Sequence, residues 1–470
     1  MNSLGQSSAS ALDVLSPVSM PQEVNFTLPP SLPITKNTTT KLQPINGSSF
    51  STGAGSNVIQ FDLPAGKRGS YIDTLTTFIR FKATYTGATL PSSTNNGHLM
   101  GSAASYFSKL EVYGNNSNQL ESIGEYGAIN NQLFNLQLND ADKRGLSTAM
   151  GFDHFLSSGY DSAVAAHYIN FDTMHYGTTF EYSIPLMSGV LGCLATEKLF
   201  PIGAIYGCRL EMTVDNFSNF FKAVSTATTA PTGCTLSEVE LVYNVIELSP
   251  DAQALIDHAN PDKLRIRTTS YRYTSNVLAA SSSATQDLLV GIRLSSLKSI
   301  FMTCGPSNVA EGYKYGSVCP NLQQGSCYII ASNSYPARCL DPANHSSEAF
   351  METQKALGAL SMTCFNGCLG KQSYNVGSTA YGVLQAYNST LTTSALKNTP
   401  NMWVLGLDVE SFGRRSGSLL SGLNVNSTPM FFRAVIGSSL AAVSHTVHFW
   451  GYYDMIIEID IASKNIVAKF

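Results

Sequence analysis

The stretch Phe449–Phe470, FWGYYDMIIEIDIASKNIVAKF, decides how the rest of the chain is read. Met455, Ile457, Ile459 and Ile461 fall on one face of an extended backbone, while Glu458 and Asp460 fall on the other, joined by Ile456. Period two marks a half-buried strand, because successive side chains leave a pleated backbone on opposite sides. A strand this regular needs a sheet to receive it, so the chain is expected to end by inserting into an already folded β structure.

Composition agrees with that reading. Of 470 residues, 43% are hydrophobic and only 13% are charged, well under the usual quarter. Helical surfaces draw on Lys, Glu and Arg; here the polar positions go to Ser, Thr, Asn and Gly, the residues of turns and strand faces. Sparse charge also suits a protein whose flanks are covered by neighbours, since interface cores are depleted in charge. The net charge is −4, and the first 56 residues carry only Asp13, Glu23, Lys36 and Lys41. No basic stripe or arm exists, so sequence-specific nucleic-acid binding is not expected. MNSLGQSSASALDVLS is too polar for a secretory segment, and no run of about 18 apolar residues occurs. Nine cysteines at irregular spacing read as free thiols serving as small core hydrophobes in a protein made in a reducing compartment.

Along the chain, residues 1–56 read as an N-terminal arm, Pro-, Ser-, Thr- and Gly-rich, either a disordered tail or an extended arm that orders only against a neighbouring subunit. Strands are expected at NVIQFDL (Ile59, Phe61 and Leu63 inward) and TLTTFIRFKATY (Thr77, Ile79, Phe81, Ala83 and Tyr85 inward). Further strands are expected at 106–114, 178–186, 206–217 and 236–249, with a helix over 121–138. SPDAQALIDHA (249–259) has Ser249 as N-cap, Pro250 at the first helical position and Asp251 at the positive end of the dipole, so a short helix separates two halves. The second half repeats the plan: strands at 263–273, 287–294, 295–305, 402–410, 430–436 and the terminal stretch, with a helix at 346–360. SSLKSIFMTCG (295–305) is similar to ASYFSKLEVYG of the first half. The domain plan is therefore 1–56 arm, 57–249 first sandwich or jelly roll, 250–262 linker helix and 263–470 second.

A search for chemistry assigns no catalytic, cofactor-binding or metal-binding residue. GCLGKQS (367–373) resembles the end of a phosphate loop, but Gln372 replaces the magnesium-binding hydroxyl and Phe365 stands where the first glycine belongs. His445 and His448 are three apart on a strand, so they face opposite sides and cannot share a metal. Cys364 and Cys368 lack the second pair a zinc ribbon needs. Asp454, Glu458 and Asp460 share a strand face and would bind calcium only if a loop added oxygens; a solvated face is the simpler reading. Trp403 and Trp450 lie inside strand patterns, which places them in the core rather than on a sugar-binding surface.

Five stretches, in order, resemble the major capsid proteins of the double jelly-roll lineage found in tectivirus-like bacteriophages, adenoviruses, virophages and Polinton-like viruses. They are SYFSKLEVYGNNSNQLESIGEYGAI (105–129), GVLGCLATEKLFPIGAIYGCRLEMTVDN (189–216), LSEVELVYNVIEL (236–248), SSLKSIFM (295–302) and YYDMIIEID (452–460). The resemblance spans residues 57–470. It implies an all-β chain of two consecutive eight-stranded jelly rolls with short flanking helices. It further implies a homotrimer forming a pseudo-hexagonal capsomer in an icosahedral shell, with loops near 139–178, 218–235 and 305–345 as outer towers. Its partners would be neighbouring capsomers, penton and minor capsid proteins, and an internal membrane touched through the arm. The rival readings are a penton or minor capsid protein, disfavoured by the duplication, and a two-domain carbohydrate-binding β-sandwich, which needs clustered carboxylates or exposed aromatics.

Overall fold

The computed structural model describes residues 34–52, 57–86, 97–99, 101–139, 142, 145–146, 149–151, 179–195, 198–223, 232–279, 284–306, 322–358, 374, 403–410, 420–437 and 444–470. The first half contains β1 (Ile34–Leu42), β2 (Ser49–Ser51), β3 (Val58–Pro64), β4 (Ser70–Thr86), β5 (Gly97–Leu99), β6 (Phe107–Gly114) and β7 (Gln119–Gly124). Helix α1 (Tyr126–Gln137) follows, then β8 (Thr179–Pro185), β9 (Gly207–Val214), β10 (Phe221–Ala223) and β11 (Gly233–Leu248). Helix α2 (Pro250–Ala259) leads to β12 (Lys263–Leu278), β13 (Ala284–Leu289), β14 (Leu297–Pro306), β15 (Ser326–Ile330) and β16 (Asn333–Leu340). Helix α3 (Ser346–Ala356), β17 (Leu405–Asp408), β18 (Met430–Ile436), β19 (His445–Asp460) and β20 (Ile466–Lys469) complete the order.

The sheets repeat. In the first half, β1-β11-β4-β8 form one sheet and β3-β9-β6-β7 the other; in the second, the sheets are β12-β19-β14-β17 and β13-β18-β15-β16. Setting aside the short β2, β5, β10 and β20, each half has its first strand beside its eighth, then its third and sixth. The facing sheet runs second, seventh, fourth, fifth. That order, laid down twice, is an eight-stranded jelly roll duplicated in tandem. Helices α1 and α3 both fall between the fifth and sixth strands of their halves. Each pair of sheets closes on an aromatic core: Phe81 meets Phe107 edge-on at 5.4 Å in the first half, and Phe432 meets Phe449 at 6.1 Å in the second. Such contacts add about 0.5–1.5 kcal/mol beyond burial.

The alternation read from sequence holds where it is strongest. Ile59, Phe61 and Leu63 are buried, as are Thr77, Ile79, Phe81, Ala83 and Tyr85, with Arg80 and Lys82 facing outward between them. Met455, Ile457 and Ile459 are in the core. Helix α2 starts as expected: the Ser249 hydroxyl accepts from the Ala252 amide, and Pro250 takes the first turn.

Five expectations are corrected. The terminal stretch is not one strand: β19 ends at Asp460, Ile461 lies in a turn, and β20 folds back against Ile456–Ile459. The helix expected over 121–138 begins at Tyr126, because Gln119–Gly124 pair with β6 and Glu125 turns the chain with a left-handed φ of 50°. The loop expected over 305–345 contains the hairpin β15–β16, and the similarity of 295–305 to 104–114 joins strands at different places in the repeat. Most important, the arm of residues 1–56 supplies β1, which pairs antiparallel with β11 of its own chain from Ile34↔Leu248 to Leu42↔Leu241, and β2. ITKNTTTKL carries no apolar alternation, but Thr favours extended backbone, and an edge strand tolerates polar residues on both faces.

Candidate functional site

Buried polar contacts between the two halves gather at the seam where the jelly rolls meet. Glu121, between Leu120 and Ile123 on β7, is 2% exposed. Its carboxylate accepts hydrogen bonds from the Ser188 hydroxyl, the Gly189 amide at 2.7 Å and the Ser270 hydroxyl of β12. The partners are hydroxyls and amides rather than a cation, and burial raises the carboxyl above its ordinary pKa against the pull of those donors. The Ser188 oxygen in turn accepts from the Val190 and Leu191 amides at 3.1 and 3.2 Å, which fixes the tight loop that follows β8.

Backbones come close here, and glycine is the reason. A Cβ on Gly189 would lie 2.2 Å from the Thr269 carbonyl oxygen of the other half. Beside it, the Thr268 hydroxyl donates to the Gly189 carbonyl at 2.6 Å. Farther along, the Trp450 indole donates to the Gly124 carbonyl at 3.0 Å, and Tyr273 covers the same glycine. Asn116 donates to Asn465 at 3.1 Å, joining the β6–β7 turn to the β19–β20 turn. A cleft of about 180 Å³ remains in the seam, between Leu133 and Met187 of one half and Tyr271, Phe301 and Tyr452 of the other. Outside it, α2 is anchored by a hydrogen bond from the Tyr71 hydroxyl to Gln253 at 2.9 Å and by the Arg68–Asp257 ion pair.

The carboxylates of β19 are held apart and paired. Asp454 is buried between Arg267 (3.2 Å) and Lys298 (3.7 Å) and accepts from Ser296 at 2.8 Å. Glu458 lies against Lys263 and Lys469, which pull its carboxyl down to about 2. Asp460 accepts from the Ser463 amide and hydroxyl, at 2.8 and 2.9 Å. Four residues of strand put Asp454 and Glu458 about 13 Å apart, too far for one ion. His445 is buried, while His448 is half-exposed, bonded to the Tyr273 hydroxyl at 2.9 Å and stacked on Trp450. Both tryptophans are buried. Among the described residues no group of three metal-ligating side chains comes together, and no helix is long and apolar enough to cross a membrane. The segment 367–373, Cys364 and Cys368 lie outside the described residues. Of the described cysteines, Cys208, Cys234, Cys304 and Cys327 are buried free thiols, with Cys193 and Cys339 half-buried.

On the outer faces, charges sit in cross-strand pairs. Arg80 lies between Glu181 (2.6 Å) and Glu240 (3.2 Å), Lys82 meets Glu238 at 2.8 Å, Arg209 meets Asp62 at 2.7 Å and Arg433 meets Asp287 at 2.8 Å. Exposed pairs add little stability, about 0–1 kcal/mol each, but they leave flanks without a single-sign field.

Sequence reasoning missed Glu121 because it placed that residue in a helix. The sequence offers only a lone acid between Leu120 and Ser122 on a short strand, with nothing that ties it to Ser188, Gly189 or Ser270.

Among the described residues, sixteen principal strands in two identical windings define the class: a double jelly roll. No family model matches the chain, and no curated protein matches it in sequence. Solved structures do. The PBCV-1 virus capsid, as a quasi-atomic model, superposes with a TM-score of 0.53 at 9% identity over 95% of this chain and 99% of that one. The Sputnik virophage structure, from cryo-EM, gives 0.52 at 11% identity over 96% and 92%, and the mavirus major capsid protein 0.50 at 9% over 96% and 93%. At such identities the likeness is one of fold, and it runs nearly end to end.

Proposed function

We propose that this chain is a major capsid protein, structural rather than catalytic, acting in the virion. Three copies would form a pseudo-hexagonal capsomer, six jelly rolls around one axis, which tiles an icosahedral shell with neighbouring capsomers. The observation that carries this reading is the winding order repeated in both halves, shared over nearly the whole chain with the viral capsid structures above. A trimer of duplicated sandwiches has near-sixfold symmetry only if each chain holds its halves in one fixed relation, and the bonded seam supplies that. Paired charges on the flanks reduce the cost of removing water when capsomers meet. In this reading the domains divide at α2, and the first jelly roll begins with β1 rather than at residue 57. Further partners in this reading are penton and minor capsid proteins and an internal membrane.

Light scattering on the purified protein, with negative-stain images of the same peak, tests the proposal. Three chains of 50.5 kDa give a particle of about 150 kDa with a hexagonal outline. A monodisperse two-lobed monomer that forms no shells at any concentration overturns it.

A further inference from the structure

We propose that Cys327 and Cys339 are a dithiol pair that closes into a reversible disulfide, stapling the edge of the second jelly roll. Both are free thiols in this structure. Ser326 pairs with Leu340 across the antiparallel strands β15 and β16, and Cys327 and Cys339 are the next residues inward on each strand, at the step where the register shifts toward Tyr328↔Tyr335. Paired residues on antiparallel strands have Cα atoms about 4.5–5.5 Å apart, so two residues one step from such a pair lie near the range of about 4.4–6.8 Å that a disulfide spans. Burial raises the Cys327 thiol pKa, and Cys339 lies close enough to raise it further.

Their surroundings assign the order of events. Cys339 is half-exposed on the edge strand, where a small reagent reaches it, while Cys327 is 3% exposed and burial pushes its thiol up to about 12. Arg433 stands opposite Cys327 on β18, and its charge offsets only part of the burial that keeps Cys327 a thiol. The oxidant is a low-molecular-weight disulfide. The Cys339 thiolate attacks it, forming a mixed disulfide and releasing one reagent thiolate. The Cys327 sulfur then attacks Cys339 Sγ as its proton passes to the departing reagent sulfur, forming the Cys327–Cys339 bond and releasing the second reagent thiol. Two protein thiols lose two protons and two electrons; the reagent disulfide gains both as two thiols.

The staple acts where the sheet is weakest. Strand β16 is the last in its sheet, bonded only to β15 among the described strands, and it leads through Asp341–His345 into α3. A covalent cross-strand link removes fraying there and leaves the core untouched.

The experiment incubates the full folded chain with oxidised glutathione, blocks remaining thiols, and maps peptides without reduction. The expected result is a linked peptide pair containing Cys327 and Cys339, lighter by two hydrogens, reversed by dithiothreitol, with slower amide exchange in residues 333–340. Cys339→Ser removes the link and restores fast exchange, and Cys327→Ser leaves glutathione held on Cys339. Stable glutathionylation of Cys339 in the unmodified sequence, with no loop closure, overturns the proposal. So does preferential linkage of either residue to another cysteine.

Discussion

The Glu121 carboxylate of the first jelly roll accepts a hydrogen bond from the Ser270 hydroxyl of the second, across 149 residues of sequence. A buried carboxylate without a cation is expensive, and a hydrophobic residue there would pack at less cost. What the acid adds is direction: three donors from two elements converge on one point, so the halves meet in one orientation. In the proposed shell, which would repeat one shape many times over, a unique orientation would count for more than the last few kcal/mol.

Replacing Glu121 with Ala leaves the Gly189 amide and two hydroxyls buried without their acceptor. Unfolding in urea should then show a loss of about 2–3 kcal/mol, with Glu121→Gln, which keeps an acceptor oxygen, losing roughly half as much. An unchanged midpoint in the Ala variant would mean that the seam is held by packing at Gly124 and Gly189 instead.

The two notable carboxyls of the seam and the terminal strand respond to pH in opposite senses. Glu458 is depressed to about 2 by Lys263 and Lys469, so its contribution is present above its ordinary 4.5 and is lost as pH falls toward 2. Glu121 is raised, so the folded state binds its proton more tightly. Its contribution is full below 4.5 and is lost as pH rises through the folded value. Melting temperatures across this range should therefore show Glu458→Gln flattening the acid limb and Glu121→Gln flattening the decline above pH 4.5. Parallel curves for all three proteins would refute the assignment.

The parts of this fold legible in sequence are those where one strand face is dry. Thr77, Ile79, Phe81, Ala83 and Tyr85 declare their side of the sheet because the opposite face is solvated. Strand β1 was illegible for the opposite reason: Lys36, Asn37, Thr38 and Thr39 are all exposed, so no burial pattern is written into the segment, and its place comes from main-chain bonds to β11. The seam escaped notice on similar grounds. Ser188, Gly189 and Ser270 are ordinary turn and strand residues until Glu121 arrives from a distant strand, and spacing in sequence carries no trace of that meeting.

Ile457, 1% exposed on β19, tests the face assignment of the terminal strand. Ile457→Asp places a charge in an apolar core with no partner, so the chain should be recovered as insoluble or unfolded material. The neighbouring Ile456→Asp, on the half-buried face, should remain soluble with a modest loss. Wild-type-like circular dichroism from Ile457→Asp would invert the face assignment.

Two truncations separate the role of β1 from that of the segment before it. Removing residues 1–33 leaves every described strand in place, so the protein should fold, with a melting temperature within a few degrees of the full chain, and assembly should be the property that suffers. Removing residues 1–42 also takes away β1. The polar edge of β11 from Leu241 to Leu248 then stands open, with its row of unpaired amides and carbonyls. The first jelly roll loses the strand equivalent to β12, and no other described strand can take its place, because β2 covers only Thr235–Ser237. The longer truncation should aggregate, or melt well below the shorter one when each is followed by circular dichroism and light scattering together. If both melt alike, β1 is dispensable to the fold, and its Thr-rich, exposed sequence would belong to contacts between chains.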